Sequence, residues 1–573
     1  MTGADLALTR HFVRYFLDAG FMTTEASDGV RRALLGAMSA AITIGLFLPR
    51  LMGRKYFRVR EIPDLYQMMV TGDTLMTFAF AMLVVAFAAA FAGDSMFPDE
   101  TDFRVLTPLP ITRGFLFSAK LRAVAWYLGL AIAVTSLALQ LPFTAISGGP
   151  HADRTWVVRA VVSSGISSVA SLFAATAVMA VQGVIVLCAP RRYLRPMAVG
   201  TRTAILCGVV LLLPLAGRMP SQARGFAAES ALLYLAPPAW FVGLQRVGLG
   251  VADGYDVRMA LVAIAALTLT SVVVAACYVV LYRKFDVVML RQGSTGSARG
   301  ASMDSGPTRT VRLKPHATIV ATHTQTGVVT RFATATLWRS PLHQVVFLGV
   351  AACGIGWALN ALLAGGLLQW LQQGGVAPPR LVSAATTMPF VLLLAGCTGL
   401  RAALMLPQDP RANWIFRMRE DDEHRGAQLD AVERLFMRLV VWPVLIGSLA
   451  LQWAVFGASA VAAVPIAYLA GVILVELFIH TWRRIPFTCS YIPGKRNVAL
   501  VFLIALVSYV FFTSIGAGLT SLARFHPSRL LIVTGILMMA VALLRRHRLR
   551  SWGQAPLMFD DDPPEFAQPL QLL

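Results

Sequence analysis

Runs of about twenty apolar residues, separated by shorter polar segments, recur along the whole 573-residue chain. A run of roughly that length matches a helix that crosses the hydrocarbon core of a bilayer. Twelve stretches qualify, at about 33–51, 74–93, 123–143, 157–188, 203–217, 259–282, 343–365, 384–405, 435–457, 459–482, 498–519 and 528–545. The fifth is short and carries Pro214, and the fourth is long enough to tilt or break. In lipid every backbone group must bond within the protein, which leaves helices or closed barrels, and the alternation of a barrel strand is absent. The pattern predicts an all-α polytopic membrane protein.

Composition sharpens this. Apolar residues make up 57% of the chain and charged residues only 14%. That is too little charge to cover the surfaces of the three or four soluble domains a chain of this length would form. It also excludes a disordered chain and a disulfide-rich scaffold. Lys and Arg total 50 against 29 Asp and Glu, a net charge of +21. In a membrane protein such an excess sets orientation, so no nucleic-acid partner is expected. Most of the cations fall on the cytoplasmic side if both termini are cytoplasmic. The loop after the eighth stretch alone carries Arg401, Arg411, Arg417, Arg419, Arg425, Arg434 and Arg438. The first outer loop, with Arg54, Lys55, Arg58 and Arg60, runs against the rule. Those cations snorkel, or the first stretch is misplaced. The expected location is a bacterial inner membrane.

Residues 1–32 carry Asp5, Arg10, Arg14, Asp18, Glu25, Asp28, Arg31 and Arg32 with no apolar core, so they do not read as a cleavable signal. They read as a cytoplasmic segment, either an amphipathic helix or a polar tail. The sequence RQGSTGSARGASMDSG at 291–306 cannot bury enough surface to offset its chain entropy and marks a linker. The resulting division is a first half at 33–285, a cytoplasmic linker and lead-in helix at 286–342, a second half at 343–546, and a tail at 547–573. Each half holds six stretches. An even number gives both halves the same orientation, which suits a pseudo-two-fold along the membrane normal. When the halves are laid over each other, MFPDETDFRVL at 96–106 falls on MLPQDPRANWI at 405–415.

The loop FPDETDFRVLTPLPITRGFLFSAKLRA, 97–123, holds too many apolar groups for a solvated loop. Asp99, Glu100 and Asp102 favour a helix N-terminus, and Pro108 and Pro110 end it. Acidic residues followed by FRVLTPLPITRGFLFSAKL resemble the coupling-helix segment of type-two ATP-binding-cassette exporter permeases. The matching positions are Leu106, Leu109, Pro110, Ile111, Thr112, Arg113 and Lys120. The resemblance extends to both halves and to YLAPPAWFVGLQRVGLG at 234–250, since that family has short helices between its fifth and sixth spans. It implies a cytoplasmic ATPase subunit, in two copies, seated on Asp102, Phe103, Leu106, Leu109, Pro110 and Arg113. Most such permeases have six spans and pair as two chains, whereas this chain contains both halves. The second-half counterpart, 406–434, lacks the Leu-Pro-Ile-Thr-Arg core, and Trp414 and Phe416 are its groove-filling candidates. The alternative for either loop is a solvated segment with an interfacial anchor. No G-x-x-x-x-G-K-[ST] occurs, and IPGKRN at 492–497 lacks the upstream glycine and the hydroxyl. ATP and magnesium are therefore expected on the partner, with no cofactor and no catalytic residue on this chain.

Polar residues inside the stretches offer further candidates. Glu476 and His480 lie four apart on one helical face. They read as a protonatable site or as a pair reaching Arg483 or Arg484. Ser163, Ser164, Ser167, Ser168 and Ser171 with Gly165 suit close helix packing. Trp240, Phe241 and Tyr234 fit an aromatic belt at the outer surface. The six cysteines and nine histidines show no ligand spacing, so no metal site is expected. A twelve-span secondary transporter is the alternative function, although the loop after the second stretch lacks that class's G-x-x-x-D-(R/K)-x-G signature. A membrane-bound transferase would need clustered carboxylates or histidines, which the chain does not offer.

Overall fold

The structure, a computed structural model, describes residues 52–59, 61–96, 113–148, 154–189, 194–283, 325–406, 430–480, 498–524 and 526–553, with Trp482, Pro486 and Phe487. All regular structure among them is helical. After a short helix α1 (52–58), the helices are α2 (Pro63–Met96), α3 (Arg113–Ile146), α4 (Trp156–Cys188), α5 (Leu194–Ala216), α6 (Ala223–Ala227), α7 (Pro237–Leu249) and α8 (Gly254–Arg283). They continue with α9 (Gln325–Arg339), α10 (Pro341–Ala364), α11 (Leu367–Gln373), α12 (Pro379–Met405), α13 (Trp442–Phe456), α14 (Ala463–His480), α15 (Val498–Ala523) and α16 (Pro527–Gly553).

Local sequence explains where several of these begin. Pro63, Pro237, Pro341, Pro379 and Pro527 each open a helix, at a position where the missing N–H costs nothing. Asp253 caps α8 reciprocally with Asp256. The Asp256 N–H donates to Asp253 Oδ1 at 2.8 Å, and the Asp253 N–H donates to Asp256 Oδ2 at 3.1 Å. Gly250, at φ 73°, ends α7 in the left-handed conformation that glycine tolerates best.

Nine helical stretches among the described residues are long and apolar enough to cross a membrane. The longest, Asp430–His480, folds back on itself. The backbone at Gly457 takes φ 59°, and a 3-10 turn, Gly457–Ala462, follows. Val441 lies against Gly471, although a straight helix would hold two residues thirty apart at about 45 Å. Val507–Ala523 adds a shorter apolar stretch. Every sequence-read stretch from the second onward coincides with a helix, while 33–51 lies outside the described residues. Leu531, Ile536 and Met539 on α16, and Leu261, Leu269 and Val272 on α8, are more than half exposed. An apolar surface of that extent suits lipid rather than water.

By its contacts the chain divides into two compact units, Met1–Arg309 and Thr310–Leu573. In the first, Leu75, Phe78, Phe173, Phe241 and Met259 form a core among α2, α4, α7 and α8. The helices alternate in direction. Tyr56, Tyr66 and Ala81 cluster with Leu139 and Phe143, while Val85 and Ala89 cluster with Val124 and Leu128. One end therefore gathers α1, the start of α2, the end of α3, the start of α4 and residues 218–256. Arg159 ties two of these by donating to the carbonyls of Ser147 (2.9 Å) and Thr144 (2.6 Å), and Arg154 Nε donates to Leu249 O at 3.2 Å. The last turn of α2 and the first turn of α3, which flank 97–112, lie at the opposite end of this unit. In the second unit α12 is central. Phe390, Leu393, Cys397 and Leu400 are buried along it, and Gly354 and Gly399 let α10 approach closely. Val329, Ala333 and Leu337, four residues apart, form the buried face of the lead-in helix α9.

Candidate functional site

A polar cluster among the described residues of the first unit sits where α1 and the start of α2 meet the segment after α5. Asp73 is 1% exposed. Lys55 Nζ lies 2.8 Å from both of its carboxylate oxygens, and Tyr56 Oη donates to Oδ2 at 2.6 Å. Tyr56 sits outside the membrane-spanning helices, and burial, reinforced by the Asp73 carboxylate, pushes its phenol far above the usual tyrosine range. It therefore serves as a permanent donor. A carboxylate drawn out of water in this way is tolerated only when paired and hydrogen-bonded. A second cluster lies beside it. Arg246 Nη2 donates to Thr71 Oγ1 at 2.9 Å, its Nη1 lies 3.4 Å from Asp256 Oδ2, and its guanidinium stacks 4.9 Å over Phe226. Thr71 Oγ1 in turn donates to Gln67 O at 2.9 Å.

Two adjoining cavities open here. One, about 150 Å³, is lined by Asp64, Gln67, Met68, Thr71, Ala223, Phe226, Ala227 and Arg246. The other, about 350 Å³, is lined by Lys55, Met68, Met69, Pro220, Ser221, Ala223 and Arg224. Met68 and Ala223 belong to both walls, so the two are adjacent chambers of one cleft region. The cleft is narrow because Gly72 lets the Pro220 backbone lie against α2. A methyl group there would come within 2.7 Å of Pro220 O.

The sequence-read residues fare unequally. Asp102, Phe103, Leu106, Leu109 and Pro110, like Trp414 and Phe416, lie outside the described residues. Arg113 opens α3, and Lys120 is buried at 2% exposure within that helix. The Glu476–His480 pairing is corrected. Glu476 is 2% exposed and forms its ion pair with Arg548 of α16, Nε to Oε2 at 2.9 Å. Arg548, itself 1% exposed, also donates to Glu433 Oε2 at 2.8 Å. A guanidinium with five donors and a fixed charge serves the buried Glu476 and the part-buried Glu433 at once, as an imidazole one turn away cannot. His480 instead lies against His547, ring centres 5.0 Å apart.

Other expectations change as well. Lys55 does not snorkel but pairs inward. Phe241 is fully buried beside Phe173, with ring centres 5.6 Å apart, and belongs to the core rather than to a surface belt. Trp240 is part-buried and donates Nε1–H to Tyr234 O at 3.0 Å. Arg401 sits inside α12, bonded to the Phe478 carbonyl. Of the serine row, Ser163 accepts from Gln245 Nε2 at 2.6 Å, and Ser167 and Ser171 are fully buried in the α4 packing. His343, which no motif marked, is 1% exposed and satisfied at both nitrogens. Nε2 donates to Leu406 O at 3.1 Å and Nδ1 lies 2.6 Å from Ser340 Oγ. Among the described residues no cluster of three potential ligands could hold a metal.

Asp73 and its partners were missed because apolar-run counting starts α2 at residue 74, whereas the helix begins at Pro63. The usable signal was a carboxylate set in the otherwise uncharged MMVTGDTLMTF, since an acid inside a membrane segment is rarely idle. Comparison with protein-family models, with curated proteins and with solved structures finds no match to this chain.

Proposed function

We propose that this chain is the membrane-spanning permease subunit of an ATP-driven exporter of the type-two ATP-binding-cassette class. In this reading it has twelve crossings in two six-span halves, related by a pseudo-two-fold along the membrane normal, with both termini on the cytoplasmic side of a bacterial inner membrane. The observation that carries the reading is the segment joining α2 to α3. There Leu106, Leu109, Pro110, Ile111, Thr112 and Arg113 follow an acidic cluster, and Lys120 follows them. The array of long apolar helices supports a membrane role, and the attachment of that segment to the end of the first unit away from the cleft suits a loop that takes up motion from below.

The partner is a separate cytoplasmic ATPase, two copies per chain, carrying ATP and magnesium. Its closure on nucleotide and opening after hydrolysis displace the helices only if the two states contact the loops differently. Affinity purification of the full chain from its native membrane tests this. An ATPase of about two copies is expected to co-purify, and Leu109→Ala combined with Arg113→Glu is expected to release it while the chain stays inserted. Recovery of the chain alone, with transport following a proton gradient, overturns the reading in favour of a secondary transporter.

A further inference from the structure

The cleft beside α2 has a composition that suits one class of ligand. Its larger chamber, about 350 Å³, falls within the roughly 300–1,000 Å³ of small-ligand sites. Two cations, Lys55 and Arg224, and the Ser221 hydroxyl share its wall with the thioethers of Met68 and Met69 and with Pro220 and Ala223. Lys55 is 35% exposed at its side chain and spends two of its three N–H donors on Asp73, so one remains for the chamber. Arg224 is exposed and, among the described residues, has no ion-pair partner. Asp73 and Asp256 hold Lys55 and Arg246 in place, so these two cations are positioned before any ligand arrives. Guanidinium and ammonium groups recognise phosphoryl oxygens, while methionine side chains adapt to irregular apolar shapes. The cleft opens at the level where α2, α4 and α8 begin, the depth at which charged side chains of a membrane protein meet lipid headgroups.

We propose that this cleft binds the anionic phosphoryl head of an amphiphile. Arg224 and Lys55 contact the phosphoryl oxygens, and Met68 and Met69 contact the first methylenes of the tail. Free phosphate shares the head chemistry, and the thioether wall is what commits the site to a lipid. The inference does not depend on the exporter reading, because lipid binding is measured without an ATPase.

The test is calorimetric titration of the purified full chain, in uncharged detergent, with short-chain phosphatidylglycerol, short-chain phosphatidylcholine and inorganic phosphate. Phosphatidylglycerol is expected to saturate one site per chain, with phosphatidylcholine and phosphate each at least about ten-fold weaker. Arg224→Gln removes one charge-assisted contact and is expected to weaken phosphatidylglycerol about ten-fold. Ser221→Trp, which fills the chamber from an exposed position, is expected to abolish binding. Arg380→Gln, at an exposed cation of the second unit, is expected to change nothing. Equal affinity for phosphatidylcholine, equal affinity for inorganic phosphate, or binding that survives both Arg224→Gln and Ser221→Trp would overturn the proposal.

Discussion

Each unit buries a carboxylate against a cation, but the two arrangements are built differently. In the first unit Asp73 meets Lys55, eighteen residues away, and the cation keeps one face toward a cavity. In the second, Glu476 and Glu433 share Arg548, and the arginine is 1% exposed. The first is a local clamp at the edge of a cleft, able to offer a donor to a visitor. The second is a tie between distant segments of sequence, fastening the mostly lipid-facing α16 to the start of the 430–456 helix and to the end of α14. Burial decides the difference. A fully enclosed charge has no water to fall back on when its partner is lost, whereas a part-exposed one does.

That contrast can be broken by substitution. The largest effect is expected for Arg548→Leu, which leaves the buried Glu476 without its cation, while Glu433 keeps Arg545; it should cost about 3–5 kcal/mol by unfolding in detergent. The double variant Arg548→Leu with Glu476→Leu should recover much of the loss, because an apolar replacement of a buried pair is often close to neutral. Asp73→Ala should cost less, about 1–3 kcal/mol, since Lys55 can turn to the cleft and only the Tyr56 hydroxyl is left orphaned. Gly72→Ala drives a methyl group into the Pro220 backbone and should cost about 1–3 kcal/mol while widening the cleft. A Gly72→Ala protein as stable as the parent would show that the contact is loose.

Tyr56 gives a smaller, pH-dependent effect. Its phenol is held protonated in the folded state, so its contribution is complete below the ordinary tyrosine value near 10 and is lost as pH rises beyond it. Tyr56→Phe should flatten the fall in stability above roughly pH 10, as read in unfolding curves collected across that range. The smallest effect belongs to the exposed Arg258–Glu229 pair at 2.9 Å, where Glu229→Gln should leave the melting temperature unchanged.

The helical framework was legible because a bilayer imposes one length and one secondary structure on whatever crosses it. The stretches at 157–188 and 384–405 lie close to α4 and α12. Edges were less legible wherever a helix continues past a charge, as α2 does through Asp73, because the neutralising Lys55 is invisible until the chain folds. Glu476 was legible as an outlier in an apolar helix, but its partner was not. Helical spacing points to His480, and only tertiary packing brings Arg548 across. The cleft left the faintest trace. It depends on a close approach at Gly72 and on side chains from three separate segments, and no spacing rule connects Lys55, Met68 and Arg224.

The proposed orientation puts the cleft on the outer side of the membrane and the segment between α2 and α3 on the cytosolic side. Labelling with a membrane-impermeant maleimide, against the parent protein as baseline, measures this directly. Ser221→Cys should react in intact cells and Thr107→Cys only after permeabilisation. Reaction of both from the same side would contradict it.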